Sequence, residues 1–147
     1  MTPPVPEPAS TGRTKGAGWQ IGVSRTVGVP VQEVWAFLVS TEGLAFWLGQ
    51  GVQVLDGRGQ RYETTDGTAG EVRSLRPRDR VRLTWRPQGW DHDSTVQVAV
   101  TTAGPGRSVL RFHQERLADA VEREQQRQHW RAVLDAVVNE LEPPRLT

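Results

Sequence analysis

The spacing of apolar positions changes period several times along the chain. In WQIGVSRTV, residues 19–27, Trp19, Ile21 and Val23 alternate with Gln20, Gly22 and Ser24, which predicts a strand with one buried face. In VPVQEVWAFLVS the apolar residues Val31, Val34, Trp35 and Leu38 fall three and four apart, on one face of a helix. Pro30 suits the first turn of that helix, and Glu33 sits near its positive end. A second short helix is expected in TEGLAFWLG, capped by Ser40 or Thr41 and stopped by Gly49, although Gly43 in its middle weighs against it.

From Gly51 to Leu117 the period returns to two. VQVL, QRYETT, TAGEVRSL, RVRLTW, STVQVAV and RSVLRFHQERL read as strands. DGRG, Asp66-Gly67, RPRD and AGPG read as turns, and RPQGWDHD as a longer loop. A long final helix follows, opened by Asp119 and Glu122 at capping-box spacing and ended by Pro143-Pro144. Its C-terminal half carries a broad inward face of Trp130, Val133, Leu134, Val137, Val138 and Leu141. Continued backwards, the same face reaches Arg127, Gln126 and Arg123, so one end of the helix is core and the other is solvated or rims a cavity. One strand, two helices, about five or six strands and a long helix make an α+β fold with an antiparallel sheet.

Composition narrows the function. The chain has 147 residues and a formal net charge of +1, from 18 basic and 17 acidic residues intermixed. That is one domain with no basic stripe to support nucleic-acid binding. Cysteine is absent, which excludes disulfides, thiolate metal sites and a Cys nucleophile and fits a cytoplasmic location. No apolar run reaches the roughly 18 residues of a membrane span, and the N-terminus lacks the apolar core of a signal peptide. Residues 1–17, rich in Pro, Ser, Thr and Gly, are expected to be a disordered tail; the domain runs over 18–142, with a short tail at 143–147. Six tryptophans are a heavy allotment for this length and suit either a dense core or the wall of an aromatic pocket.

The stretch VPVQEVWAFLVSTEGLAFWLG resembles the helix pair of the START-like (SRPBCC) superfamily, in the branch named after the activator of heat-shock-protein-90 ATPase. The tryptophans of that pair are matched by Trp35 and Trp47. FHQERLADAVEREQQRQHWRAVLDAVV is similar to the same branch's strand-to-helix signature, and Gly70, Val72 and the LTW at 83–85 fit its central strands. The resemblance covers roughly residues 19–141 and rests on packing residues. It implies a helix-grip fold, a curved antiparallel sheet of six or seven strands around the C-terminal helix with a cavity between them. It also implies binding of an apolar small molecule, with an enzyme of cyclase or hydrolase type, or a chaperone-associated interaction module, as alternatives. A fold shared so widely does not choose among these.

On that arrangement, strand parity turns Leu110, Phe112 and Gln114 inward and Val109, Arg111, His113 and Glu115 outward. Expected ligand contacts are Phe46, Trp47, Tyr62, Leu83, Trp85, Val98, Val100, Phe112 and Trp130, with Gln114 as the polar anchor. No cofactor is called for, and the chain is expected to be a monomer or homodimer. Asp91-His92-Asp93 is adjacent in sequence and suits a solvated loop better than a metal. His113 and Glu115 share a face but find no third ligand. DGRGQ has G-x-G spacing without a following helix, and no G-x-S-x-G elbow is present. Glu63 and Glu124 are the nominees for an acid or base if either is buried.

Overall fold

The computed structural model describes residues 13–14 and 18–143. The elements are β1 (Arg13–Thr14), β2 (Gly18–Val27), α1 (Val31–Val39), α2 (Thr41–Trp47), β3 (Arg61–Glu63), β4 (Ala69–Arg76), β5 (Arg80–Trp85), β6 (Ser94–Thr102), β7 (Ser108–Leu117) and α3 (Ala120–Leu141). The strands pair antiparallel in one seven-stranded sheet of order β1-β2-β7-β6-β5-β4-β3. This is the expected α+β helix-grip architecture. Most of the expected tail at 1–17 and residues 144–147 lie outside the described residues. Arg13 and Thr14 are the exception, pairing with Trp19 and Gly18 to start the sheet earlier than expected.

Ser40 joins the two short helices. Its hydroxyl donates to Phe37 O at the end of α1 (2.6 Å) and accepts from Gly43 N at the start of α2 (3.0 Å). Gly43, read from sequence as a weakness, is a requirement: a Cβ there would stand 1.7 Å from Phe37 O. Trp47 then crosses back, its indole N–H donating to Leu38 O at 2.8 Å. The helix pair is thus locked by side chains before it meets the sheet.

The predicted strand VQVL is not one. Val52 and Leu55 are buried, but no ladder forms. Side chains take the backbone groups instead: Thr41 Oγ1 donates to Gln53 O (2.7 Å) and Gln60 Nε2 to Val54 O (2.9 Å). Backbone that is satisfied by side chains has no need of a neighbouring strand. The Asp66-Gly67 turn does join β3 to β4, with Gly67 at φ 90°.

The sheet's inner face is a grid of aliphatic rows. Gln114 lies opposite Val96, which lies opposite Leu83, which lies opposite Val72; Phe112, Val98 and Val81 form the next row. Near its end β7 bulges, since Gln20 alone of β2 stands against Glu115 and Arg116, and Arg116 takes φ 65°. The extra residue reverses the parity, so Leu117 is buried on the inner side although its number puts it with His113 and Glu115. Helix α3 begins three residues later. Asp119 caps it by accepting from Glu122 N (2.8 Å), while Glu122 Oε1 accepts from Ala118 N (3.0 Å). Trp130, Leu134, Val137 and Val138 bury its C-terminal half against the sheet and α2.

Candidate ligand site

Between α3 and the inner face the aromatic side chains form a continuous chain. Trp47 lies 6.5 Å from Phe112, Phe112 stacks on Trp130 at 5.3 Å, and Trp130 lies 5.6 Å from Trp85. Trp85 meets Trp90 edge to face at 5.6 Å, and Trp90 stacks on His92 at 4.8 Å, within reach of solvent. His129 closes the side, 5.8 Å from Trp85 and 4.8 Å from Trp130. The chain therefore runs from the α2 end of the core to the loop 86–93 that precedes β6.

The residues expected to line a pocket are placed as follows. Trp47, Tyr62, Leu83, Trp85, Val98, Val100, Phe112, Gln114 and Trp130 are buried, and they belong to one hydrophobic core except for the amide of Gln114. Trp47, Phe112, Trp130 and Trp85 are brought together. Val100 sits two rows from Gln114 under α1, and Tyr62 stands at the far edge in β3, its hydroxyl donating to Thr84 O. Burial pushes the Tyr62 phenol well above its ordinary range. Phe46 is half-buried and packs on Phe37 at 5.5 Å, away from this group.

Gln114 is an anchor for the protein itself. Its Oε1 accepts from Trp130 Nε1 (2.7 Å), and its Nε2 donates to Ser94 Oγ (3.0 Å), which donates in turn to Trp85 O (2.6 Å). Trp130 can only donate, so it fixes which way the amide points. This buried relay ties β5, β6, β7 and α3 together. Two other polar atoms there are not satisfied. Trp85 Nε1 and Gln126 Oε1 are shut off from solvent and have no hydrogen-bond partner among the described residues. Gln126 is four residues before Trp130 and three before His129, so it shares the helix face that covers Trp85.

Loop 86–93 packs over the Trp85 end of this region through Trp90 and His92. Arg86 Nε donates to Trp90 O (2.9 Å), and His92 is held between Asp91 (2.9 Å) and Glu122 of α3 (2.7 Å). Burial opposes a charge on His92, but hydrogen bonds and attraction from Asp91 and Glu122 outweigh it, and its pKa lies above the ordinary 6.5. The latch therefore stabilises the closed loop fully below pH 6.5 and loses that contribution as pH rises through the raised value. Intrinsic-rate-corrected amide exchange in residues 88–93 should accelerate across that window, and a His92→Gln variant should show no such step. An identical step in the variant would assign it elsewhere. His113 and His129 run the other way, burial holding both below the ordinary value. Among the described residues no three His, Asp or Glu side chains group to hold a metal. Glu63 and Glu124 are exposed, the latter beside Arg127 at 3.3 Å.

The sequence profile of the Activator of Hsp90 ATPase homolog 1-like protein family matches residues 28–142. The chain belongs to that family. No curated protein sequence matches it significantly. Solved structures with the same fold include a Mesorhizobium loti protein, 19% identical with TM-score 0.73, covering 86% of this chain and 99% of that one. CalU16 from Micromonospora echinospora is 20% identical with TM-score 0.74, over 89% and 82% of the two chains. An HSP90 activator from Plasmodium falciparum is 14% identical with TM-score 0.68, over 82% and 94%. At these identities the likeness establishes the START-like fold of the Activator of Hsp90 ATPase homolog 1-like family. No described helix is long and apolar enough to cross a membrane.

The sequence placed Glu122 in a capping box, His92 in a solvated loop and Gln126 on the inward face of α3, and it gave none of these, nor Trp90 or His129, a place at a ligand site. The signal for Gln126 was present, since it continues the inward face of α3. Nothing in RPQGWDHD indicated that its Trp and His fold back onto the helix.

Proposed function

We propose that this domain is a binding protein for a neutral aromatic or similarly apolar small molecule, taken up between the sheet and the N-terminal half of α3. The observation that carries the reading is a pair of stranded groups, the Trp85 indole N–H among Trp90, His129 and Trp130 and the Gln126 carbonyl one helical turn before Trp130. Each costs about 1–3 kcal/mol while unpaired, and a ligand with an acceptor and a donor recovers both. Trp85, Trp130, Phe112 and Trp90 supply flat walls. Leu83, Val98, Val100 and Trp47 form the packed floor behind them, with Tyr62 and Phe46 at its margins. Entry requires the loop 86–93 to swing out with Trp90. Among the described residues, the polar side chains buried as a whole are hydroxyls and the Gln114 amide, which hold a ligand rather than move its protons, so binding is favoured over catalysis. A cytoplasmic location is part of this proposal.

The test compares 2-naphthamide, which has a carbonyl and an N–H, with 2-methylnaphthalene, which has neither. Both should quench tryptophan fluorescence, the amide with about tenfold higher affinity, as expected for about 1.4 kcal/mol of recovered hydrogen bonding. Trp85→Phe should reduce the difference and Trp85→Phe/Gln126→Leu should abolish it, both leaving the hydrocarbon's affinity nearly unchanged. If folded protein responds to neither probe, the binding role fails.

A further inference from the structure

The outer face of the sheet carries a concavity, unconnected with the aromatic chain. It is a dent of about 390 Å³ lined by Gly22, Ser24, Gln97, Ala99, Arg111 and His113, with the backbone of Val23 and Phe112 between them. Its origin is local. Gly22 lies opposite His113 and Ser24 opposite Arg111, while Ala99 lies opposite Arg111 from the other side. Three small side chains in the middle of an otherwise large-residue face leave a hollow whose floor is methyl group and backbone.

The charges around it are unbalanced. Arg80 stands opposite Ala99, and Ala99 opposite Arg111, so two arginines flank one alanine on the same face. Arg82 is neutralised, its guanidinium reaching Glu115 at 3.1 Å, and Glu115 also lies 3.6 Å from His113. Arg80 and Arg111 make no ion pair among the described residues, and neither does Asp79 in the turn before Arg80. Arg80 Nε is shut off from water and has no hydrogen-bond partner there. His113 spends Nε2 on Gln20 (2.9 Å) and is kept from charging by burial, so it offers an aromatic edge and no competing cation. A guanidinium N–H hidden from water with no acceptor is a costly arrangement, as is a pair of like charges across a shared small residue.

The geometry points to a binding site for a small organic anion, a carboxylate or phosphate monoester, whose charged head bridges Arg80 and Arg111. Its apolar body lies in the dent over Ala99 and Gly22. The planar guanidinium fork suits either head group, because two N–H donors match two anionic oxygens. Gln97 and Ser24 can direct the body of the ligand by hydrogen bonds at the rim. Nothing in this site depends on the neutral-ligand reading, since it lies on the opposite face and selects for charge.

The measurement is an amide and arginine-Nε NMR titration of the whole chain with 1-naphthoate, 1-naphthyl phosphate and uncharged 1-naphthamide. Both anions should shift the Gly22, Ala99 and Arg111 amides and the Arg80 Nε–H signal; the neutral probe should leave them unmoved. Naphthoate alone binding would assign the site to carboxylates, and the phosphate alone to phosphate esters. Arg111→Met and Ala99→Leu, one removing the charge and one filling the hollow, should each weaken binding at least tenfold with the fold retained. The proposal is overturned if neither anion shifts these signals at millimolar concentration, if the neutral probe shifts them equally, or if both variants bind as wild type does.

Discussion

Replacing Trp130 by alanine is expected to lower the stability of the domain by about 3–5 kcal/mol, the usual range for removing a fully buried tryptophan. The side chain stacks on Phe112, packs against Trp85 and His129, and donates to Gln114. Trp130→Phe separates these roles. It keeps most of the ring contact but leaves Gln114 Oε1 buried without a donor, which costs about 1–3 kcal/mol. In Trp130→Phe/Gln114→Leu that carbonyl is gone, so the double variant should be less destabilised than the sum of the two single changes. Urea midpoints at constant slope measure all three. A phenylalanine variant as stable as wild type would show that the relay through Gln114 and Ser94 holds nothing together.

Gly43→Ala should be among the most damaging single-methyl changes at the described residues. On propensity alone the substitution gains about 1 kcal/mol, because glycine is the poorer helix former. Contact decides otherwise. The new Cβ would sit 1.7 Å from Phe37 O, 2.6 Å from its carbonyl carbon and 3.2 Å from Leu38 Cα, all backbone atoms that cannot rotate away. Helix α2 must then lift off α1, which pulls the Trp47 indole from Leu38 O and opens the core beneath. The expected loss exceeds the 1–3 kcal/mol usual for overpacking. A thermal midpoint equal to or above wild type would mean that the two helices are free to slide apart, contrary to this packing.

The two expected effects bear on the candidate site in different ways. Trp130 is a wall of the aromatic chain, so its loss should remove binding of any interior ligand along with stability. Gly43 lies at the opposite end of the core. A mild substitution near it, such as Phe46→Leu, should change stability with little effect on the response to 2-naphthamide. That contrast tests whether ligand binding is confined to the end of α3 where the loop 86–93 closes.

Periodicity and turn chemistry were enough to read the architecture. Strands at 19–27, 80–85 and 94–100, the helix face of Val34, Trp35 and Leu38, the Asp66-Gly67 turn and the Asp119 cap all follow from interactions within a few residues. Local rules reach that far because their partners are near in sequence. They failed where a local feature was answered from far away. VQVL has strand composition, yet its carbonyls are taken by Thr41 and Gln60. Gly43 looked like a helix breaker because the carbonyl that forbids a side chain belongs to another helix. The bulge opposite Gln20, which turns Leu117 inward, is likewise invisible in the hydrophobic pattern.

The sequence by itself determined which faces are apolar, where the chain turns, and that α3 is greasy at one end and polar at the other. Only the tertiary structure decided how the polar groups are shared out. It gave Gln114 to Trp130 and Ser94, His92 to Glu122, and left Trp85 Nε1, Gln126 Oε1 and Arg80 Nε without partners among the described residues. Apolar burial depends on area and is non-directional, so a one-dimensional pattern records it. A hydrogen bond depends on two atoms meeting within about 3 Å at a set angle, and that meeting exists only after distant strands and helices have been brought together.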